Sequence, residues 1–373
     1  MAVRKELMVM ARRSNSKNVK NSSATKKSIS SQQGNKKSSK KKTTAKVHYG
    51  RLAVVILIPI ALILGMIYGA ISIYQAVIQH QRVAKIEEKA NRIGEAQSEI
   101  AAASTTPNIS PSTFAAYQEL AKTQLGAFQN QVRSMIHEKL SDSDMEAVNS
   151  LSAPEDLYLN ILKNLERYPE EYISFLNEDP RRLNFVSAFV NQEPYIAAPG
   201  ALTMSLESLP ALVQYDLQWA YQPFSGNVIG LVGSGPTALS AAACHLQNNS
   251  GITPYLAAQA IDSAGGADSQ GVAEPQVLVS AGPSIGLSIE PIQVDSSLIA
   301  SICEQQQIIL GLVPSGNLSA KPQYILISYS DQPDCVNVYF PAFPADSKAY
   351  SVEEITPLLS EAYVLNNAYT IEQ

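Results

Sequence analysis

One serine occupies the setting that a nucleophile needs. In Asn227-Val228-Ile229-Gly230-Leu231-Val232-Gly233-Ser234-Gly235-Pro236-Thr237-Ala238-Leu239-Ser240, a short apolar run leads to a hydroxyl flanked by glycines and then to a helix start. The glycines let the backbone turn without a Cβ penalty, and Pro236 suits a first helical turn, where its missing N–H would have no partner anyway. A side chain at 234 then faces the positive end of a helix dipole, which favours an anion or a nucleophile of lowered pKa. The bland role for Ser234 is that of a helix N-cap.

A serine hydroxyl reacts only when a positioned base takes its proton. The chain has four histidines, His48, His80, His137 and His245. His245 lies eleven residues along the same helical stretch, roughly 16 Å away at 1.5 Å per residue and outside hydrogen-bond reach. Cys244, Cys303 and Cys335 form no regular pattern, and no C-x-x-C or H-x-x-x-H spacing exists to hold a metal. Neither metal nor cofactor is expected, and one disulfide among the three thiols stays open.

Gly233-Ser234-Gly235-Pro236-Thr237-Ala238 also satisfies G-x-G-x-x-G/A, the turn of a dinucleotide-binding oxidoreductase. That unit requires a second parallel strand ending in an acid about twenty residues on. Here Gly251-Ile252-Thr253-Pro254-Tyr255-Leu256-Ala257-Ala258 follows, helical in character, with Asp262 the first acid.

The elements that would position Ser234 begin with a sharp division of charge. Residues 1–51 hold fifteen Lys/Arg and one acid, Glu6, which leaves 13 basic and 32 acidic residues for 52–373, a balance of −19. Residues 1–50, Lys-, Ser-, Asn- and Thr-rich as in Ser38-Ser39-Lys40-Lys41-Lys42, lack the apolar surface to offset chain entropy and read as a disordered tail. From Leu52 to Gln79 no charged residue occurs, and 28 residues exceed what a ~30 Å hydrocarbon core requires. A single uncleaved transmembrane helix is expected over 51–79; Pro59 is tolerable in lipid. Lys40, Lys41, Lys42, Lys46 and Arg51 outnumber Arg82 and Lys85 across the span, so the N-terminus should be cytoplasmic and the C-terminal domain extracytoplasmic. The tail has no aromatic interleaving, and no nucleic-acid partner is expected.

Beyond the membrane, 80–112 reads as a stalk, helical over Gln81–Ile100, followed by a linker containing Pro107 and Pro111. A helical region is expected over 113–199. Phe114, Ala121, Phe128 and Met135 recur every seven residues with Leu125 and Val132 between them, a stripe for packing within the chain rather than for a dimer seam. Ser152-Ala153-Pro154-Glu155 fits a capping box, and Pro169 and Pro180 punctuate two further short helices. In 200–373, Ile308–Val313, Tyr324–Tyr329 and Val336–Phe340 are β-type runs separated by turns. Helices first and strands later give an α+β class.

Gln214-Tyr215-Asp216, Trp219-Ala220-Tyr221-Gln222-Pro223-Phe224, the block Asn227–Leu231 and Gly233-Ser234-Gly235-Pro236-Thr237 closely resemble the opening of bacterial papain-like cysteine peptidases related to the double-glycine (bacteriocin) leader peptidases. Ile252-Thr253-Pro254 with the Ala257-Ala258 helix, Gly286-Leu287 and Gln305-Gln306-Gln307-Ile308-Ile309-Leu310-Gly311 follow in the family's order, so the resemblance spans roughly 160–370. It implies a papain-like domain, a central helix packed on an antiparallel sheet, preceded by the short helices and the membrane helix. In that family the serine-containing block reads G-C-G-P-T. The catalytic Cys falls on Ser234, the His of G-H-[FY] on Gln323 in Pro322-Gln323-Tyr324, and the Asp of N-D-P on Phe340 before Pro341. Gln214 matches the glutamine of the oxyanion hole. With Cys, His and Asp all replaced, the resemblance implies a pseudoenzyme: a single-pass binding or scaffolding module of the bacterial cell surface, with a peptide, a cell-wall component or a surface protein as partner. The alternatives are a hydrolase acting through Ser234 by a different mechanism and the dinucleotide-dependent oxidoreductase.

Overall fold

The computed structural model describes residues 49–191, 200–203 and 205–368. The reading of 1–50 as a disordered tail lies outside these residues but for its last two, and so does the end of the helical region at 192–199. The chain divides at Gly69 into two units, 1–69 and 70–373. In the first, helix α1 (Tyr49–Ala102, shared by both units) carries Leu57 and Leu64 about three-fifths exposed, like most of their apolar neighbours. A helix apolar all round and bare of partners is what lipid requires. It is the one helix among the described residues long and apolar enough to cross a membrane, and Pro59 does not interrupt it.

In the second unit, the part of α1 expected to be a stalk is helical but not bare. Ile86, Ala90, Ile93, Ala96 and Ile100 are buried against α2 (Pro111–Ser134), where Phe114, Ala121, Leu125 and Val132 of the expected stripe are buried, Phe128 and Met135 are half-buried, and Tyr117 joins them. Ile86, Ile93 and Ile100 recur every seven residues, so two such stripes meet. Two glutamines cross the seam to backbone carbonyls: Gln97 Nε2 donates to Lys122 O at 2.8 Å and Gln129 Nε2 to Ala90 O at 2.7 Å. Gly94 and Gly126 leave room for them, since a Cβ at 94 would stand 2.7 Å from Gln129 Nε2.

Helix α3 (Asp142–Ser150) carries a full capping box through Ser141 and Asp144. The box expected at Ser152 does not form. Ala153 stands at the N-cap of α4 (Pro154–Lys163) without a side-chain bond. Glu155, the residue that would complete it, is buried and bonds instead to Arg92 of α1 at 2.8 Å. A tertiary ion pair has taken the carboxylate that the local motif needed. Helices α5 (Glu170–Glu178) and α6 (Leu183–Ala188) follow Pro169 and Pro180 as expected, joined by the short turn Pro180–Arg182.

A two-residue hairpin, β1 (Pro223–Phe224) and β2 (Asn227–Val228), leads into a helical turn α7 (Ile229–Val232) and then α8 (Ser234–Gln247). Helices α9 (Pro254–Ala264) and α10 (Pro275–Ala281) precede strand β3 (Leu287–Ile292), helix α11 (Ser296–Glu304), strands β4 (Ile308–Val313), β5 (Gln323–Tyr329), β6 (Cys335–Tyr339) and β7 (Lys348–Ser351), helix α12 (Val352–Ile355) and strand β8 (Glu361–Asn367). The six strands make one sheet in the order β3-β8-β4-β5-β6-β7, antiparallel throughout.

All six residues of the central β4 are buried, because both faces are covered. On one face lies α8, buried from Ser234 to Cys244 and clustered with Leu310, Tyr324, Leu326 and Tyr339. On the other, Ile299, Ile302 and Cys303 of α11 and Ile355 of α12 cluster with Ile309, Ile325, Ile327, Val338 and Phe340. The period-2 alternation of β5 and β6 divides their buried apolar residues between the two clusters. The molecule is thus a mixed helix and sheet fold with a buried helix on an antiparallel sheet.

Candidate functional site

The turn before α8 is built by glycines that nothing larger could replace. A Cβ on Gly233 would stand 2.5 Å from Ile229 O, and one on Gly235 2.9 Å from the Tyr324 ring. Gly233, not Ser234, holds the N-cap position, and it offers no side chain. Ser234 is the first residue of α8, 4% exposed. Its Oγ accepts a hydrogen bond from Tyr324 N of β5 at 3.0 Å. This displaces the N-cap role expected from sequence: the hydroxyl serves a buried amide ninety residues away, where an unmet donor would be costly.

The three other positions come to the same region through the backbone. Gln214 Nε2 donates to Gly230 O at 3.0 Å, and Gln214 N donates to Pro341 O at 2.9 Å. One residue therefore ties the turn before Ser234 to the segment after Phe340. Gln214 is 1% exposed, and its Oε1 is buried without a partner. Gln323 immediately precedes the amide that Ser234 accepts. Its Nε2 reaches Ser319 Oγ at 3.3 Å, and its Oε1 is likewise buried and unpaired. Phe340, the position on which the resemblance places the family's Asp, turns its side chain away from Ser234. Its ring lies 3% exposed in the cluster on the far face of the sheet, edge-on to Tyr350.

The loop 268–273, silent in the sequence, braces this arrangement. Asp268 Oδ1 accepts from Gln270 N and Val272 N, both at 2.9 Å. Gly271, at φ +86°, lets the loop close on Val232: a Cβ there would be 2.0 Å from Val232 O. The Tyr324 hydroxyl meets the backbone of Ala273, as donor to Ala273 O at 3.2 Å and acceptor from Ala273 N at 3.3 Å. Burial holds this phenol well above its ordinary pKa.

Among the described residues no histidine stands beside Ser234. Among the described residues His80, His137 and His245 remain; His137 Nε2 lies 3.5 Å from Asp144, and His245 Nδ1 meets Leu206 O at 3.0 Å, far along α8. The three cysteines are free thiols. Burial pushes Cys244 up to about 11 and Cys303 up to about 12, so neither supplies a thiolate near neutral pH. Among the described residues no group of three or more His, Cys, Asp and Glu is placed to hold a metal ion. Among the described residues the glycine turn is not part of a βαβ unit: α9 follows α8, and the strands of the sheet pair antiparallel.

No family model and no curated protein matches the chain. Among solved structures it is similar to the peptidase domain of Streptococcus ComA, a bi-functional ABC transporter involved in a quorum-sensing pathway. That similarity has a TM-score of 0.29 and 18% identity, over 36% of this chain and 92% of that domain.

Sequence reasoning missed Arg182. It is fully buried, its guanidinium 3.7 Å from the Phe175 ring centroid and 4.4 Å from that of Phe343. It donates to Phe175 O at 2.8 Å, to Glu178 Oε2 at 2.8 Å and to Ala342 O at 3.1 Å, two residues past Phe340. Desolvation lowers its pKa, and Nε has no partner. Its only signal in sequence was Arg181-Arg182 directly after Pro180, which does not tell a buried cation from a solvated one.

Proposed function

We propose that this chain is a membrane-anchored, papain-like domain without peptidase chemistry, acting as a binding or scaffolding module outside the cell membrane. Its partner is a peptide, a cell-wall component or a surface protein. The observation that supports the reading is the bond from Tyr324 N to Ser234 Oγ, with an amide rather than an imidazole at position 323. Where the resembling family places a thiol beside an imidazole, this chain has a hydroxyl engaged by the backbone, an amide at 323 and a phenyl ring at 340. An amide shuttles no proton and a phenyl ring orients no imidazole, so the groups that would act together are all absent.

The test is hydrolysis. Purified protein should cleave neither peptides nor activated esters and should resist serine-directed fluorophosphonates, and Ser234→Ala should leave any trace of activity unchanged. Turnover that disappears in Ser234→Ala would establish the competing reading, a hydrolase with a different base. The lysine and arginine bias toward the N-terminal side of α1 gives a second expectation. Protease added to intact cells should digest the chain beyond about residue 82. A large domain that survives while the N-terminal tail is cut would reverse the orientation and with it the surface role.

A further inference from the structure

The four stretches that carry Gln214, Ser234, Gln323 and Phe340 share a neighbour. Each has beside it a residue of one continuous segment, Glu170–Ala188, which comprises α5, the Pro180–Arg182 turn and α6. Beside Gln214, the Tyr215 ring meets the Phe175 ring edge-on at 6.3 Å. Upstream of Ser234, Gly230 lies against the Phe185 ring so closely that a Cβ would be 2.5 Å from it, and the Tyr221 hydroxyl donates to Phe185 O. Beside Gln323, Lys321 Nζ stands 3.9 Å from Glu171 Oε2. Beyond Phe340, Arg182 bonds Ala342 O and stacks on Phe343.

We infer that Glu170–Ala188 is a cover over the degenerate cleft, fastened by Arg182 and able to lift without unfolding the domain beneath it. Ordinary packing of a helical arm needs one patch. Here four segments far apart in sequence are each contacted from within the same nineteen residues, and Gln214, Ser234 and Gln323 are 5% exposed or less. The fastening is of a kind that can open. A buried guanidinium whose Nε lacks a partner recovers only part of its desolvation cost, and Lys321–Glu171 is a long, partly exposed pair that contributes little. Local openings of such regions precede global unfolding in many folds.

This inference concerns access to the site named in the preceding section and rests on that reading only for the identity of the site. The test therefore measures access rather than binding, so a cover that fails and a ligand that is never found give different results. Ser234→Cys is introduced into the full chain in detergent, and modification by a maleimide is followed separately at residue 234 and at Cys244. Cys244 lies on the same helix, fully buried, and reports global opening. Residue 234 should react slowly. Adding Arg182→Gln should accelerate it by roughly tenfold or more while Cys244 changes by less than about twofold, the pattern of a local opening. Lys321→Glu, which faces Glu171 with like charge and leaves Arg182 intact, should accelerate residue 234 in the same selective way, more weakly.

Equal acceleration at 234 and 244 would overturn the cover in favour of simple destabilisation. No acceleration at 234 in either variant would overturn it as well. Should Ser234→Cys itself disturb the fold, amide exchange with Ser234 retained decides instead. Arg182→Gln should then expose 214–216, 230–235 and 321–324 while α11 and β8 keep their protection, and a uniform rise would count against the cover.

Discussion

Phe340→Asp should be severely destabilising, by more than about 4 kcal/mol, because it removes a buried ring and sets a carboxylate among the apolar side chains of Ile325, Val338 and Ala342. Thermal unfolding should fall by about 10 °C or more for a unit of this size. Ser234→Cys and Gln323→His place their new groups where polar side chains already sit, and each should cost no more than about 1–2 kcal/mol. Circular dichroism melts of the three single variants separate these effects. On the proposed reading, the consequence for installing a peptidase site is direct: a thiol and an imidazole can be introduced one residue at a time, but a carboxylate at 340 cannot, because that position is part of a hydrophobic core. A Phe340→Asp protein that melts within about 3 °C of the wild type would show that the far-face cluster tolerates charge, and the site would be closer to catalysis than its packing implies.

Gly271→Ala should rank close behind. The new Cβ would lie 2.0 Å from Val232 O at a backbone angle that L-residues rarely adopt, so the loop must leave Val232 and with it the turn into Ser234. A loss of about 3–5 kcal/mol in denaturant unfolding is expected. Gly226→Ala is the control, since Gly226 has a similar φ of +79° but nothing within 4 Å of its Cβ. Only the conformational penalty applies there, about 1 kcal/mol. Equal losses at the two positions would mean that the approach of Gly271 to Val232 does not brace the site.

What the sequence disclosed and what it hid follow the range of the interactions. The seven-residue recurrence of Phe114, Ala121, Phe128 and Met135 marked α2, and the β-rich runs marked β4, β5 and β6 within a residue or two, because those signals are local. The second stripe, Ile86-Ile93-Ile100, was present but sparse, so a helix packed on α2 read as a solvated stalk. Local rules failed where a tertiary partner competed. Glu155 left its capping box for Arg92, and Ser234 gave up an N-cap for the amide of Tyr324. Phe340 could have been placed better: alternation puts it in phase with Val336 and Val338, not with Tyr339, and so on the far face of the sheet. Arg182 could not, since a charged residue announces solvent unless its surroundings are known.

Both margins of the six-stranded sheet are blunted. Strand β3 carries exposed Glu290 and Pro291 in its second half, one a charge and the other without an N–H to offer, and β7 on the opposite margin is only four residues long and begins with Lys348. Such margins do not accept another strand from a neighbouring copy. However crowded the chain becomes, its six-stranded sheet is guarded against joining into a continuous cross-β ribbon, and any assembly it enters is left to side-chain surfaces, which can be specific and reversible.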